Sequence, residues 1–296
     1  MKRRAMLKVT GAAVLSAAAF PCRWTPAAEG KRQRILYFTR NVGFYHSVVV
    51  RPGDELSHSE RILTELGRQA GMEVVCTKDG RVFDGDLSQY DAFVFYTNGD
   101  LTQPNPQNEP PMTAEGKQRF LAAIDAGRGF VGLHSTCNSW VTPGPAYENT
   151  ATVDPFIAML GAQFIAHGPQ QKATMRIVSP QFPGVEGLGE SFELLEEWYA
   201  MKNFAKDMHV ILVQETEGMK GDCYQRPPFP STWARMQGQG RVYFTSLAHR
   251  EDVWEGKPMQ PILMGGLAWA LGNVQADVTP NMARVTPHAG TLKNPA

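Results

Sequence analysis

The chain of 296 residues balances 29 lysines and arginines against 29 aspartates and glutamates, and 43% of its residues are hydrophobic. This composition can fill one sizeable globular core, and the charge balance argues against a nucleic-acid partner or an anionic membrane surface. The four cysteines are too few and too scattered for a disulfide framework.

The first 28 residues have the pattern of an export signal. Basic residues at positions 2–4 precede an apolar stretch over residues 9–20, and small alanines follow at 27–28. The adjacent Arg3 and Arg4 resemble a twin-arginine signal, and the apolar stretch is too short to remain as a stable membrane anchor. We therefore expect residues 1–28 to direct the protein to the periplasm or out of the cell.

Short apolar runs alternate with amphipathic stretches along the rest of the chain. Strands are predicted at residues 34–39, 73–76, 92–96, 129–133, 173–178, 209–213 and 241–245. Helices are predicted at residues 60–70, after the cap Thr113, after the cap Asp154 and at 258–271. This alternation predicts an α/β domain over residues 33–273, with helices on both faces of a mostly parallel sheet. Residues 274–296 are polar and proline-dotted, which predicts a loosely held tail.

Three histidines follow predicted strands at the point where each strand ends. His46 follows the first strand, His134 the fourth, and His249 the last. Because open parallel sheets bind ligands outside the carboxyl ends of their strands, we expect these side chains to lie on one rim. Imidazole is both a common metal ligand and the usual acid or base near neutral pH, and Glu197 and His167 are candidates to complete either arrangement.

Other chemistries have weaker support in the sequence. Ser135 with His249 would be a serine hydrolase pair, but the small residue that should follow the nucleophile turn is Thr136 rather than glycine. Cys137 lies three positions late for a nucleophile and is typical of a small buried residue. No glycine-rich phosphate loop follows the first strand, so no nucleotide cofactor is expected.

Several motifs together carry a resemblance to a known family. They lie at residues 39–46, 129–135, 160–167, 196–199, 230–233, 240–244 and 266–272, with His249 in addition. In this order they resemble the ThuA-like (trehalose utilisation) family, which is similar in fold to class I glutamine amidotransferases. The resemblance implies a flavodoxin-like three-layer α/β/α sandwich. It does not imply amidotransferase activity, because His134 occupies the turn where that superfamily has its cysteine, although residues 249–251 resemble its later His-x-Glu.

The resemblance implies a carbohydrate substrate, either a disaccharide or a 3-keto glycoside, and a lyase, hydrolase or isomerase reaction. A ketone acidifies the neighbouring C–H bond, so a base and a divalent metal, with zinc expected, would suit such a sugar. The predicted catalytic residues are His134, His249, Glu251 and Glu197; the predicted metal ligands are His46, His134, His167 and Glu197; and the predicted sugar contacts are Arg40, Asn98, Tyr199 and Trp233. Two alternatives remain: a sugar-binding protein without catalysis, and a glycoside hydrolase that uses Glu197 and Glu251 as paired carboxylates.

Overall fold

The computed structural model describes residues 32–292, so the predicted export signal lies outside the described residues. The strands in this range are β1 (Arg34–Phe38), β2 (Glu73–Thr77), β3 (Ala92–Phe95), β4 (Gly129–Leu133), β5 (Gln163–His167), β6 (Gln171–Ile177), β7 (Ser191–Glu196), β8 (Tyr199–Lys202), β9 (His209–Gln214), β10 (Phe229–Gln237) and β11 (Gly240–Thr245). The α-helices are α1 (His58–Gln69), α2 (Ala114–Asp125), α3 (Pro155–Leu160), α4 (Glu251–Glu255), α5 (Met259–Ala270) and α6 (Met282–Val285).

Nine of these strands form one mixed sheet in the order β2-β1-β3-β4-β11-β10-β9-β6-β7. Every pairing from β2 to β11 is parallel, and every pairing from β11 to β7 is antiparallel. We refer to these as the parallel half and the antiparallel half. The remaining strands, β5 and β8, form a separate antiparallel pair.

Helices cover both faces of the parallel half. On one face, the Phe130 ring lies 5.6 Å from that of Phe120 in α2 and 6.0 Å from that of Phe156 in α3. On the other face, the Tyr37 hydroxyl donates to Ser59 Oγ of α1. Helix α5 packs so closely there that a Cβ at Gly266 would lie 2.3 Å from the Tyr243 ring of β11. The predicted α/β class and three-layer arrangement are therefore confirmed.

Local capping explains where three helices begin. Thr113 and Asp154 accept hydrogen bonds at the starts of α2 and α3, as predicted. Helix α1 begins two residues before the predicted position, because Ser57 and Glu60 form a reciprocal capping box. Four strands went unpredicted, namely β5, β7, β8 and β10. They belong to antiparallel pairs, and each mixes polar with apolar residues, so they lack the continuous apolar runs of the parallel strands.

The C-terminal segment is more firmly held than predicted. The Asn281 side chain accepts from Val210 N and donates to Val210 O, so it satisfies both backbone groups of that β9 residue. Arg226 Nη2 donates to Ala289 O, and Ala289 is fully buried. These bonds fix the segment to the antiparallel half as far as residue 292. Within residues 32–292, no helix combines the length and apolar character needed to cross a membrane.

Candidate metal centre

His134 enters the centre from a strained turn directly after β4. Its backbone φ is 43°, in the left-handed region that non-glycine residues rarely occupy. The ring is fully buried, and its Nδ1 lies 2.9 Å from Ser246 O. A carbonyl oxygen only accepts, so Nδ1 carries the proton and Nε2 presents a lone pair to the centre. Metal-binding histidines are usually oriented in this way.

His46 and His249 reach the same point from the ends of β1 and β11. The ring centroids of His46 and His249 lie 4.9 Å and 5.1 Å from that of His134. His46 is 2% exposed, and its Nε2 lies 3.3 Å from the Tyr199 hydroxyl. His249 follows Ala248, whose φ of 105° turns the chain sharply after the strand. The three histidines lie on one rim, as predicted, and the structure shows in addition that they meet.

Glu197 faces these histidines from the connection between β7 and β8. Its Oε2 lies 3.2 Å from His249 Nδ1, 3.6 Å from His134 Nε2 and 4.0 Å from His46 Nε2. The other carboxylate oxygen, Oε1, lies 3.4 Å from Nδ1 of His167, whose side chain is 43% exposed. One buried carboxylate oxygen thus meets three ring nitrogens, while His167 lies towards the solvent.

The spacing of these atoms suits a metal ion. One ligand atom each from His46, His134, Glu197 and His249 all lie within 4.8 Å of one another. Donors around a tetrahedral zinc ion, at ~2.1 Å from the metal, lie about 3.4 Å apart. The measured separations from Glu197 Oε2 lie close to that value. The sequence predicted His167 as a metal ligand, but the fourth residue of the cluster in the structure is His249.

The ionisation of the cluster also favours a cation. Burial, together with the neighbouring His134 and His249, lowers the pKa of His46 to about 2. Burial lowers the pKa of His134 as well. Burial alone would raise the pKa of Glu197, but its polar contacts with His134 and His249 outweigh it and hold that pKa well below the ordinary value. At neutral pH, His46 and His134 are therefore neutral and the carboxylate is ionised, which are the forms that bind a metal.

Glu196 holds the cluster together from behind. It is fully buried, and its carboxylate accepts from the backbone N–H groups of Glu197, Ala248 and His249 at 2.8, 3.1 and 3.1 Å. Burial raises its pKa to about 7. Because these amides belong to the β7–β8 connection and to the turn after β11, Glu196 fixes Glu197 and His249 relative to each other.

The two ring nitrogens of His249 are arranged differently from those of His134. Gln170 Nε2 lies 2.9 Å from His249 Nε2, on the side of the ring away from the cluster. The amide oxygen of Gln170 in turn accepts from Arg250 Nη1 at 2.7 Å. The nitrogen that His249 directs into the cluster is Nδ1, which lies 3.3 Å from His134 Nε2.

Two of the predicted sugar contacts lie away from any opening. Arg40 is fully buried, and its guanidinium donates to the carbonyl oxygens of Leu101, Gln103 and Glu109. Trp233 is also fully buried, with its ring nitrogen donating to Leu160 O. Both side chains hold the fold together in the described structure, since a buried donor needs a partner and finds it in the backbone.

The other two predicted sugar contacts lie beside the cluster. Tyr199 packs on His134 with 4.2 Å between ring centroids and is 4% exposed. Asn98 donates to Phe44 O at 2.6 Å and shapes the loop that carries His46. The sheet continues there past the strand ends, through an isolated bridge between Asn41 and Asn98.

The predicted catalytic residue Glu251 and the alternative nucleophiles Ser135 and Cys137 are not among the four clustered residues. Glu251 begins α4, and the hydroxyl of Ser47 helps to lower its pKa even though burial opposes the shift. His249 contacts Glu197, His134 and Gln170, whereas Ser135 Oγ has no hydrogen-bond partner among the described residues. Cys137 donates to His134 O, and burial raises its pKa, so its thiol is not activated.

Sequence reasoning missed three residues of this region. Phe44 is 68% exposed and lies beside His46, with 4.9 Å between ring centroids. Its only sequence signal is its place in the loop after the first strand. Glu196 was passed over for its neighbour Glu197, and Gln170 has no signal, because both act through contacts between segments far apart in the chain.

A family model for ThuA, described as trehalose utilisation, matches residues 34–270. The chain belongs to this family. Its structure resembles that of a ThuA-like protein from Parabacteroides merdae ATCC 43184, at 18% identity and a TM-score of 0.60, over 89% of this chain and 97% of that one. A ThuA-like protein from Bacteroides uniformis ATCC 8492 is similar at 18% identity and a TM-score of 0.57, over 83% and 94% of the two chains. No curated protein sequence matches this chain.

The family match and these structural neighbours confirm the predicted resemblance and fit the flavodoxin-like sandwich. They support a ThuA protein of the trehalose-utilisation type. At this level of identity the solved structures speak for the fold alone, so the chemistry of this ThuA protein is argued from its own residues.

Proposed function

We propose that this ThuA protein is an exported enzyme that holds a divalent metal ion, with zinc expected, and acts on a disaccharide or 3-keto glycoside. The observation that carries the proposal is the convergence of three imidazoles, two of them buried, and one partly exposed carboxylate at ligand spacing. A ligand pocket needs donors and aromatic faces, whereas neutral imidazoles around a carboxylate are the donor set that zinc, iron and manganese sites use.

His46, His134 and Glu197 are the proposed ligands. Each offers a lone pair or a negative oxygen to the common point, where His46 Nε2 also lies 3.3 Å from the Tyr199 hydroxyl and Glu197 Oε2 lies 3.2 Å from His249 Nδ1. A bound metal would polarise a sugar oxygen or lower the pKa of a water molecule at this point. Three protein ligands leave a position open for that oxygen, which is the usual arrangement of catalytic rather than structural zinc.

His249 is the proposed acid and base. Its Nδ1 lies 3.2 Å from Oε2 of the proposed ligand Glu197, and its backbone N–H donates to Glu196. At a 3-keto sugar, the C–H bond next to the ketone is acidic, so the reaction needs a base that takes up that proton and an acid that returns one. An imidazole at this position would donate a proton from the nitrogen that faces the cluster and take one up again on the same nitrogen. Elimination, hydration and isomerisation all begin with this proton transfer, and the reaction would be that of a lyase, hydrolase or isomerase.

The substrate would enter past Phe44 and His167. The backbone that carries the exposed Phe44 ring is held in place, since Asn98 donates to the Phe44 carbonyl and a Cβ on the preceding Gly43 would lie only 2.9 Å from Asn98 Oδ1. An exposed aromatic face beside a polar cluster suits the apolar face of a sugar ring. His167 offers a polar edge at the same opening.

The export part of the proposal rests on residues 1–28, which lie outside the described structure. Twin-arginine export carries folded proteins, and a protein exported by that route would keep a metal loaded before export. Replacement of Arg3 and Arg4 by lysine should leave the precursor inside the cell, as cell fractionation would show.

The deciding experiment is metal analysis of the mature protein by mass spectrometry. The His134→Ala variant should lose the metal, while His288→Ala, which changes an exposed histidine of the C-terminal segment, should keep it. Near-stoichiometric zinc or another divalent ion in the wild type supports the proposal. A protein that stays metal-free after incubation with zinc, iron and manganese would overturn it and favour a sugar-binding protein without catalysis.

A further inference from the structure

The orientation of Gln170 fixes which nitrogen of His249 carries a proton. Arg250 Nη1 lies 2.7 Å from Gln170 Oε1, and a guanidinium can only donate. The amide oxygen of Gln170 must therefore face Arg250, and its NH₂ group must face His249 Nε2 at 2.9 Å. Reversal of the amide would place two donors against each other at Arg250.

An NH₂ group also only donates, so His249 Nε2 must accept. In the neutral imidazole, the proton then lies on Nδ1, the nitrogen 3.2 Å from Glu197 Oε2. His134 has the opposite arrangement relative to the cluster, since it donates outward to Ser246 O and presents a lone pair inward. One imidazole thus offers the cluster a lone pair, and the other offers it an N–H group.

Arg250 is itself anchored, which makes the chain of hydrogen bonds directional. Its Nε and Nη2 donate to the two carboxylate oxygens of Asp252 at 2.8 and 3.0 Å. Bidentate pairs of this kind fix the plane of the guanidinium. The hydrogen bonds therefore follow one another in a fixed order. They lead from the acceptor Asp252 at the surface, through Arg250 and Gln170, to His249, whose N–H group lies inside the cluster.

We propose that Gln170 is a positioning residue that holds His249 with its proton on Nδ1. In this form His249 is a proton donor beside a three-ligand site of His46, His134 and Glu197, rather than a fourth ligand. The inference deepens the proposed function and rests on it for the role of the site. The tautomer itself is a property of the metal-free protein.

The test is ¹⁵N NMR of histidine tautomers in the metal-free protein, using wild type, Gln170→Met and Arg250→Met. We expect wild-type His249 to carry its proton on Nδ1. Both variants should populate the two tautomers, and the double variant should add little to either single change, because Arg250 acts through Gln170. A wild-type His249 protonated on Nε2, or variants that leave the tautomer unchanged, would overturn the inference.

Zinc affinity gives a second readout that does not depend on turnover. Gln170→Met releases His249 to bind through Nδ1, so the metal should bind more tightly, by roughly 10-fold, the size of effect seen when residues behind the ligands are changed. Weaker or unchanged zinc binding in Gln170→Met would count against the inference. If wild-type protein binds no metal at all, the proposed function fails, while the NMR result still decides the tautomer.

Discussion

The parallel and antiparallel halves of the sheet give this centre different chemistry. The parallel half supplies imidazoles, which follow β1, β4 and β11 at one rim. The antiparallel half supplies the carboxylates, because β7 ends in Glu196 and Glu197 follows it. Neither half supplies the whole donor set, since the imidazoles bring no anionic ligand and the carboxylate of Glu197 brings one ligand only. A metal site predicted from histidines at one rim of a sheet can therefore depend on a carboxylate supplied by a strand at the far edge of the same sheet.

The largest expected effect tests whether the antiparallel half supplies a ligand. Glu197→Gln keeps the shape of the side chain but removes its charge. We expect zinc affinity to fall by more than about 100-fold, because changes behind the ligands alone cost 10–100-fold. Isothermal titration with zinc measures it. The matched variant Glu251→Gln should bind zinc like the wild type; an equal loss of zinc affinity in both variants would show that the effect is not specific to the Glu197 carboxylate.

A smaller effect is expected when the connection between the halves is weakened. In the wild type, both Glu196 carboxylate oxygens accept from backbone N–H groups. In Glu196→Gln, an NH₂ group replaces one of these oxygens, so at least one buried N–H group loses its acceptor. The free energy of unfolding should fall by about 1–3 kcal/mol. Urea unfolding at pH 8 measures it. Glu193→Gln, at an exposed position of the same strand, should change stability by less than about 0.5 kcal/mol; equal effects would show that Glu196 is not a brace.

Phe44, the exposed aromatic ring at the rim of the parallel half, should affect substrate binding and leave metal binding unchanged. Phe44→Ala removes an exposed ring that a bound sugar would partly cover. Loss of about 1–2 kcal/mol of apolar contact corresponds to a KM raised about 5- to 30-fold, with metal content unchanged. Steady-state kinetics on 3-keto glycosides measures it. Met236→Ala, at an exposed residue of β10, serves as control, and a KM unchanged in Phe44→Ala would remove Phe44 from the substrate site.

The smallest expected effect is a pH dependence within the parallel half. Burial lowers the pKa of Lys78 to about 8, so the native state favours the neutral amine. Between about pH 8 and 10.4 the unfolded chain binds more protons, and stability should rise with pH in this window by about 1 kcal/mol or more. Denaturant unfolding across this range measures it. Lys78→Met should flatten the slope relative to Lys172→Met, which changes an exposed lysine; identical slopes would contradict the shift.

The parallel half was predictable from the sequence, whereas in the antiparallel half β6 and β9 were predicted and β7 and β10 were not. Strands buried on both faces, such as β1 and β3, have continuous apolar runs, and the caps Thr113 and Asp154 identify the starts of α2 and α3. The short strands β5 and β8 alternate or mix polar and apolar residues and have no comparable signal. The prediction that residues after 273 are loose also failed to anticipate Asn281, whose partner Val210 lies far away in the chain.

The sequence by itself determined the layered α/β class, the ThuA family and three histidines at strand ends, because these follow from local pattern and from the rule that parallel strands share a rim. Only the tertiary structure decided that Glu197 meets those histidines, that Arg40 and Trp233 are engaged by backbone carbonyls, and that Gln170 orients His249. Those contacts join residues from separate segments, and their partners depend on distances and hydrogen-bond directions that no local pattern contains.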